Sequence, residues 1–132
     1  AVSEFGRLDA MVNNAGKPSP IVRLLDDTLD QFDPVMHVNV LGVMRGTQMA
    51  ARHMAKTGGG SIVNTASIAG THPSFGLPIY RASKAAVVQF CKMAAIELGE
   101  HLIRVNCLVP GQIETGLIKQ ALSSTIDAGW RA

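Results

Sequence analysis

The sequence predicts an α/β fold with a parallel sheet, and three observations predict it. Short strand-like apolar runs recur along the chain, apolar residues at helical spacing fill the stretches between them, and glycine, proline or amide residues mark the junctions. At 132 residues, 47% hydrophobic and 17% charged, the chain suffices for one packed domain. No internal repeat, linker or second domain is visible, so residues 1–132 read as part of a single domain.

Ala1 to Arg7 reads as the end of a helix closed by Gly6, with the chain entering mid-fold as part of a longer protein. The first strand is expected at Leu8 to Asn13, ending in the small and amide residues Asn13-Asn14-Ala15-Gly16, which suit a sharp turn with close backbone approach. Lys17-Pro18-Ser19-Pro20 continues as loop. A long helix follows between Thr28 and Lys56, carried by Phe32, Val35, Met36, Val40, Val43, Met44, Met49 and Met54. Thr28 with Gln31 offers a capping box, and Asp33 before Pro34 an alternative start; the Thr28 start is favoured, with a distortion near Pro34.

Thr57-Gly58-Gly59-Gly60 breaks that helix, and Ser61 to Thr65 has the length and branching of a buried strand. The triple glycine lacks the Lys-Ser/Thr that a phosphate loop needs, so it reads as a turn. Gly70 to Pro78 is expected as loop, Tyr80 to Gly99 as helix, and Ile103 to Val109 as the third strand. Pro110-Gly111 ends that strand ahead of a short helix near Leu117 to Leu122.

Twelve basic and ten acidic residues without runs give a formal charge of +2, which offers no polyanion-binding surface. No stretch approaches the ~20 apolar residues of a membrane span. Cys91 and Cys107 belong to no metal or redox motif and are expected to be buried thiols in a reducing, cytoplasmic setting. His37, His53, His72 and His101 lack metal-ligand spacing, so no metal is expected.

Tyr80 and Lys84 carry the chemistry. Four residues apart on a helix, they share one face with Cβ atoms roughly 6 Å apart. A phenol ordinarily ionises near pH 10, and a unit charge at about 4 Å in an effective dielectric near 20 contributes roughly 4 kcal/mol. An ammonium so placed is therefore expected to lower the Tyr80 pKa into the range of a general acid/base. The same spacing also describes a surface Tyr/Lys pair. Ser67 lies at the C-terminal end of a strand, where open α/β sheets bind ligands, and can serve either as a donor to a substrate oxygen or as a turn cap. Asn39 lies in an apolar helical run, where a buried amide needs a partner. It is either a bonded core amide or an organiser of water.

In order and spacing, Asn13-Asn14-Ala15-Gly16, Asn39, Ser67, Tyr80 thirteen residues later, Lys84, and Pro110-Gly111-Gln112-Ile113-Glu114-Thr115 resemble the short-chain dehydrogenases/reductases, in particular the 3-oxoacyl-carrier-protein reductases. The resemblance runs through essentially the whole chain. It implies a Rossmann-type, doubly wound, three-layer αβα fold, here lacking the N-terminal glycine-loop half. It also implies a nicotinamide-dependent oxidoreductase that interconverts alcohols with ketones or aldehydes. Tyr80 would exchange the proton, Lys84 would lower its pKa and bind the nicotinamide ribose, Ser67 would orient the carbonyl, and Asn39 would hold a proton-relay water. Asn14, Ala15 and Gly16 would line the adenosine side of NAD or NADP. Pro110, Gly111, Ile113 and Thr115 would contact its nicotinamide end, with Tyr80 and Lys84 completing the cofactor set.

The family's glycine-rich loop is absent, and at roughly 30 residues per βαβ unit about 80 residues would precede Leu8. That segment would cradle the pyrophosphate and choose NAD from NADP, so the 132 residues alone are expected to be inactive and, with two open sheet edges, prone to aggregate. Family strand order makes the three strands neighbours. By the same resemblance the Met36 to Met54 and Tyr80 helices pair across a homodimer or homotetramer, and the partner is a small-molecule alcohol or carbonyl compound, with neither nucleic acid nor membrane involved. His72 and Phe75, on the loop after Ser67, are candidates for shaping the substrate pocket. Two other readings stay open: a catalytically silent dinucleotide sensor, and an epimerase or dehydratase that shares the Tyr/Lys pair.

Overall fold

The structure is a computed structural model that describes residues 1–113 and 116. Thr115 and the helix expected at Leu117 to Leu122 lie outside the described residues. Three strands, β1 (Ala10–Asn13), β2 (Gly60–Thr65) and β3 (Ile103–Leu108), form one parallel sheet in the order β1-β2-β3. Each crossover is helical, as parallel pairing requires. The predicted strands all form, each within two residues of its expected bounds. The N-terminal turn, α1 (Val2–Phe5), ends at Gly6 with φ 71°, the left-handed cap expected of a helix tail.

The long helix starts four residues later than expected. Thr28 donates its hydroxyl to Asp30 Oδ2 (2.8 Å) instead of capping a helix, Leu29 takes φ 62°, and α2 begins at Phe32 (Phe32–Met36). Pro34, which lacks only an amide hydrogen that a first turn leaves unbonded, sits there without distortion. The irregularity falls one turn further on. His37–Leu41 forms a wide turn in which Gly42 N–H bonds His37 O, five residues back, before α3 (Gly42–Met54) resumes regular winding.

The last helix, α4 (Pro78–Leu98), begins two residues before its expected start, because Pro78 fits the first helical position. Gly99, expected to close it, is right-handed with φ −60°; the left-handed reversal falls on Leu102 at φ 57°.

α3 and α4 pack on one face of the sheet. Val43, Ala50, Ala51 and Met54 of α3, Ile62 of β2, Val87, Cys91 and Ala94 of α4, and Ile103 and Val105 of β3 form one core. Full burial of each larger side chain among them contributes about 1.5–3 kcal/mol. The opposite face carries the alternate residues of each strand, and there Val12 and Leu108 stand 62% and 55% exposed. The described residues thus form two of the three layers. No described helix is long and apolar enough to cross a membrane.

One layer below the C-terminal ends of the strands, the core is polar. Asn13, Asn64 and Cys107 are register partners across the sheet. Asn64, with no solvent exposure, accepts from Asn13 Nδ2 (2.7 Å) and Thr47 Oγ1 (3.2 Å) and donates to Cys91 Sγ (3.3 Å). This joins β1, β2, α3 and α4. The close approach of α3 depends on Gly46, where a Cβ would run into the Asn13 side chain. Asn64→Ala would strand the buried Thr47 hydroxyl as a donor, while half-buried Asn13 keeps its bond to Thr47 Oγ1 (3.2 Å), so urea unfolding is expected to show a loss of about 1–3 kcal/mol.

Candidate active site

Because the strands are parallel, the ends of all three lie at the same side of the sheet, and the candidate residues gather there. Pro78 starts α4 so that Tyr80 lies in its first turn and Lys84 one turn later on the same face. Lys84 is 3% exposed. Its ammonium donates to the carbonyl of Thr65, the last residue of β2 (3.0 Å), and stands 5.6 Å from the centre of the Tyr80 ring. That distance suits a cation–π contact.

Ser67 follows β2 and does two things. Its hydroxyl accepts from Ala69 N–H (3.2 Å), capping the short turn Ile68–Gly70, and it hydrogen-bonds the Tyr80 phenol. The turn is pressed onto α4: a Cβ on Gly70 would lie 2.5 Å from Lys84 C and 2.7 Å from Ala85 N. Ile68 N–H bonds Pro110 O (2.9 Å), which fastens the loop after β3 to the same turn. Pro110 and Gly111 therefore adjoin Ser67, while Ile113 is 58% exposed.

Asn39 is fully buried at the wide turn. Its Oδ1 accepts from Lys17 N–H (2.7 Å), and its Nδ2 donates to Lys17 O (2.9 Å) and Ser83 Oγ (3.0 Å). Ser83 Oγ in turn donates to Tyr80 O (2.7 Å). Asn39 therefore ties the loop after β1 to the helix that bears Tyr80. Gly16 lies beside it: a Cβ there would be 3.6 Å from Lys84 Nζ and 3.7 Å from Asn39 Oδ1. Asn14 and Ala15 are exposed.

The electrostatics differ from expectation. Burial raises the Tyr80 pKa above its ordinary value, and the Ser67 hydrogen bond only partly offsets this. Burial also lowers the Lys84 pKa, against the influence of Cys107. The expected net lowering of the phenol is not realised, because the burial of the phenol outweighs what lowers it. Cys91 is buried, but Cys107 is only half-buried, contrary to expectation. Burial and the adjacent Cys91 thiol push Cys107 up to about 11.

A family model described as short chain dehydrogenase matches residues 1–125. The chain belongs to the short-chain dehydrogenase family. Among its relatives is the 3-oxoacyl-[acyl-carrier-protein] reductase FabG of Thermotoga maritima, 40% identical over 121 residues that cover 90% of this chain and 48% of the relative. Among solved structures, an NAD+-bound xylitol dehydrogenase superposes with a TM-score of 0.84 at 34% identity, covering 89% of this chain and 45% of that one. ElxO with NADP bound superposes with a TM-score of 0.84 at 36% identity, covering 97% and 50%. The chain spans about half the length of the curated relatives it matches.

The residues of this short-chain dehydrogenase fit a nicotinamide nucleotide. Thr65 O takes one of the three ammonium protons of Lys84, which leaves donors for a ribose diol at the strand ends. Gly16 keeps the approach to that ammonium clear of any side chain. Two residues of the site escaped the sequence reading. Ser83 was one more small residue in a helical run, although its place three residues after Tyr80 puts the two side by side on the helix. Gly70 read as a loop glycine, and nothing in its local sequence reveals that a helix backbone lies against it.

Proposed function

We propose that this chain is the catalytic part of an oxidoreductase that interconverts a small-molecule alcohol with a ketone or aldehyde, using NAD or NADP. The observation that carries this reading is the convergence on one strand end of the Ser67 hydroxyl, the Tyr80 phenol and the buried Lys84 ammonium. The nicotinamide supplies or receives the hydride. Tyr80 gives its phenolic proton to the substrate oxygen in reduction and withdraws it in oxidation. Ser67 donates a second hydrogen bond to that oxygen.

Lys84 holds the ribose and steadies the phenolate through its charge. Lys84 Nζ and Asn39 Oδ1 both lie close to Gly16, and proton return through a water held between this side of the site and solvent is part of the proposal. Asn14, Ala15, Pro110, Gly111, Ile113 and Thr115 complete the nucleotide contacts, and His72 and Phe75 border the substrate. Exposed Met44, Met93 and Ile96 on the outer faces of α3 and α4 favour a homo-oligomer. Two free thiols in contact suit a reducing compartment, and we place the protein in the cytoplasm.

The raised Tyr80 pKa keeps the phenol protonated at neutral pH, so the group poised to act is the acid. The base form grows about tenfold per pH unit below its pKa. For the full-length protein, cyclohexanone reduction by NADH or NADPH is expected to be flat between about pH 6 and 8, while cyclohexanol oxidation by NAD+ or NADP+ climbs. Steady-state rates in both directions check it. Parallel profiles, or turnover with neither cofactor, would overturn the reading.

A further inference from the structure

The segment from Thr71 to Leu77 joins the Ser67 turn to the helix of Tyr80, and its backbone is unusual. Gly76 and Leu77 are consecutive left-handed residues, at φ 69° and 57°. A branched side chain such as Leu77 adopts that conformation only when its surroundings impose it. Gly76 and Leu77 are half-buried, whereas Thr71, His72, Pro73, Ser74 and Phe75 are exposed, so packing at the loop's end does not by itself hold the whole segment.

Arg81 does. Its Nε donates to Gly76 O (2.9 Å) and its Nη1 to His72 O (3.0 Å), so one planar guanidinium bridges both ends of the loop. Thr71 N–H, Thr71 Oγ1 and His72 N–H all bond Ile68 O at the loop's start, and Arg81 N–H bonds Leu77 O at its end. Gly76 also meets the loop after β1, since a Cβ on it would lie 3.0 Å from Ile21 Cγ2. The segment held by Arg81 thus lies between the two loops that flank Ser67 and Tyr80.

We infer that Arg81 is a positioning residue that fixes the Thr71–Leu77 loop against the Tyr80 helix and thereby sets the substrate-facing wall of the site. This rests on the oxidoreductase reading for its consequence but not for its geometry. A guanidinium fork can hold two carbonyls at once, whereas an ammonium is a point donor and holds one. Removing the fork frees the loop while Tyr80, Lys84 and the nucleotide side stay in place. Affinity for substrate should then fall without a matching loss in the chemical step or in cofactor binding.

The test uses the full-length protein with Arg81→Met and Arg81→Lys. Hydrogen exchange at the Thr71, His72 and Arg81 amides is expected to quicken at least about tenfold in Arg81→Met, and by less in Arg81→Lys. With cyclohexanone as probe, KM should rise about fivefold or more in Arg81→Met, with kcat and NADH affinity within about twofold of wild type. Arg81→Lys should recover part of the KM. Unchanged exchange in Arg81→Met overturns the inference even if the enzyme is active. NADH affinity and kcat falling together with KM would also overturn it, as general damage to the site. If Arg81→Met does not fold, Arg81→Lys carries the exchange test, and wild-type exchange in it is the refuting result. Failure of the oxidoreductase reading shows separately, as an Arg81 effect on exchange in a protein that reduces no carbonyl probe.

Discussion

Replacing Tyr80 with phenylalanine in the full-length protein is expected to lower kcat for carbonyl reduction by about 10²–10⁴-fold, the usual contribution of a positioned general acid. Folding should scarcely change. The ring that Lys84 overlies is retained, and Ser67 keeps its bond from Ala69 N–H, so only the phenol's own hydrogen bond is lost. One neutral hydrogen bond at a half-buried site is worth about 0.5–1.5 kcal/mol. Nucleotide binding should stay within about twofold, since the phenol is not what holds the ribose in this scheme. Stopped-flow absorbance of the reduced nicotinamide, alongside a fluorescence titration of NADH, separates the two quantities. A variant that turns over at the wild-type rate would remove Tyr80 from the chemistry and leave the fold serving only to bind.

Much of this architecture could be read from the chain, for identifiable physical reasons. The three strands announced themselves through continuous apolar or branched runs between breakers, and Tyr80 and Lys84 met because a spacing of four makes neighbours on any helix. The misjudged boundaries came from features with two meanings. Thr28 looked like a cap, yet a threonine before acidic residues bonds equally well to Asp30, and Pro78 looked like a loop breaker although the first helical position welcomes it. The wide turn at His37–Leu41 had no local signature beyond a polar Asn39 among apolar neighbours. Tertiary bonds to Lys17 and Ser83 fix it, and they were invisible at a separation of 22 and 44 residues. The phenol's pKa was misjudged for a related reason: sequence spacing brings a charge near a ring, but how far the phenol is buried is set by the tertiary fold, and burial decides the direction.

Gly70→Ala is expected to damage stability and catalysis together. The added methyl would lie 2.5–2.7 Å from Lys84 C, Lys84 O and Ala85 N, all atoms of a helix backbone that cannot rotate away as a flexible side chain could. Either the Ile68–Gly70 turn lifts or α4 recedes, and such overpacking costs about 1–3 kcal/mol. Both responses act on the same atoms. Lifting the turn withdraws Ser67 from the Tyr80 phenol, and moving α4 pulls Lys84 Nζ from Thr65 O. A displacement of about 1 Å between reacting groups costs on the order of 10²-fold in rate. Gly99→Ala is the matched control, because a Cβ there meets nothing within 4 Å and its φ of −60° suits alanine. That exchange should leave the rate unchanged and raise stability by about 0.4–1 kcal/mol through a stiffer unfolded chain. Urea unfolding and carbonyl reduction measured on both variants settle the comparison. Wild-type behaviour of Gly70→Ala would mean that the turn and the helix are not in the tight contact on which the Ser67–Tyr80 alignment depends.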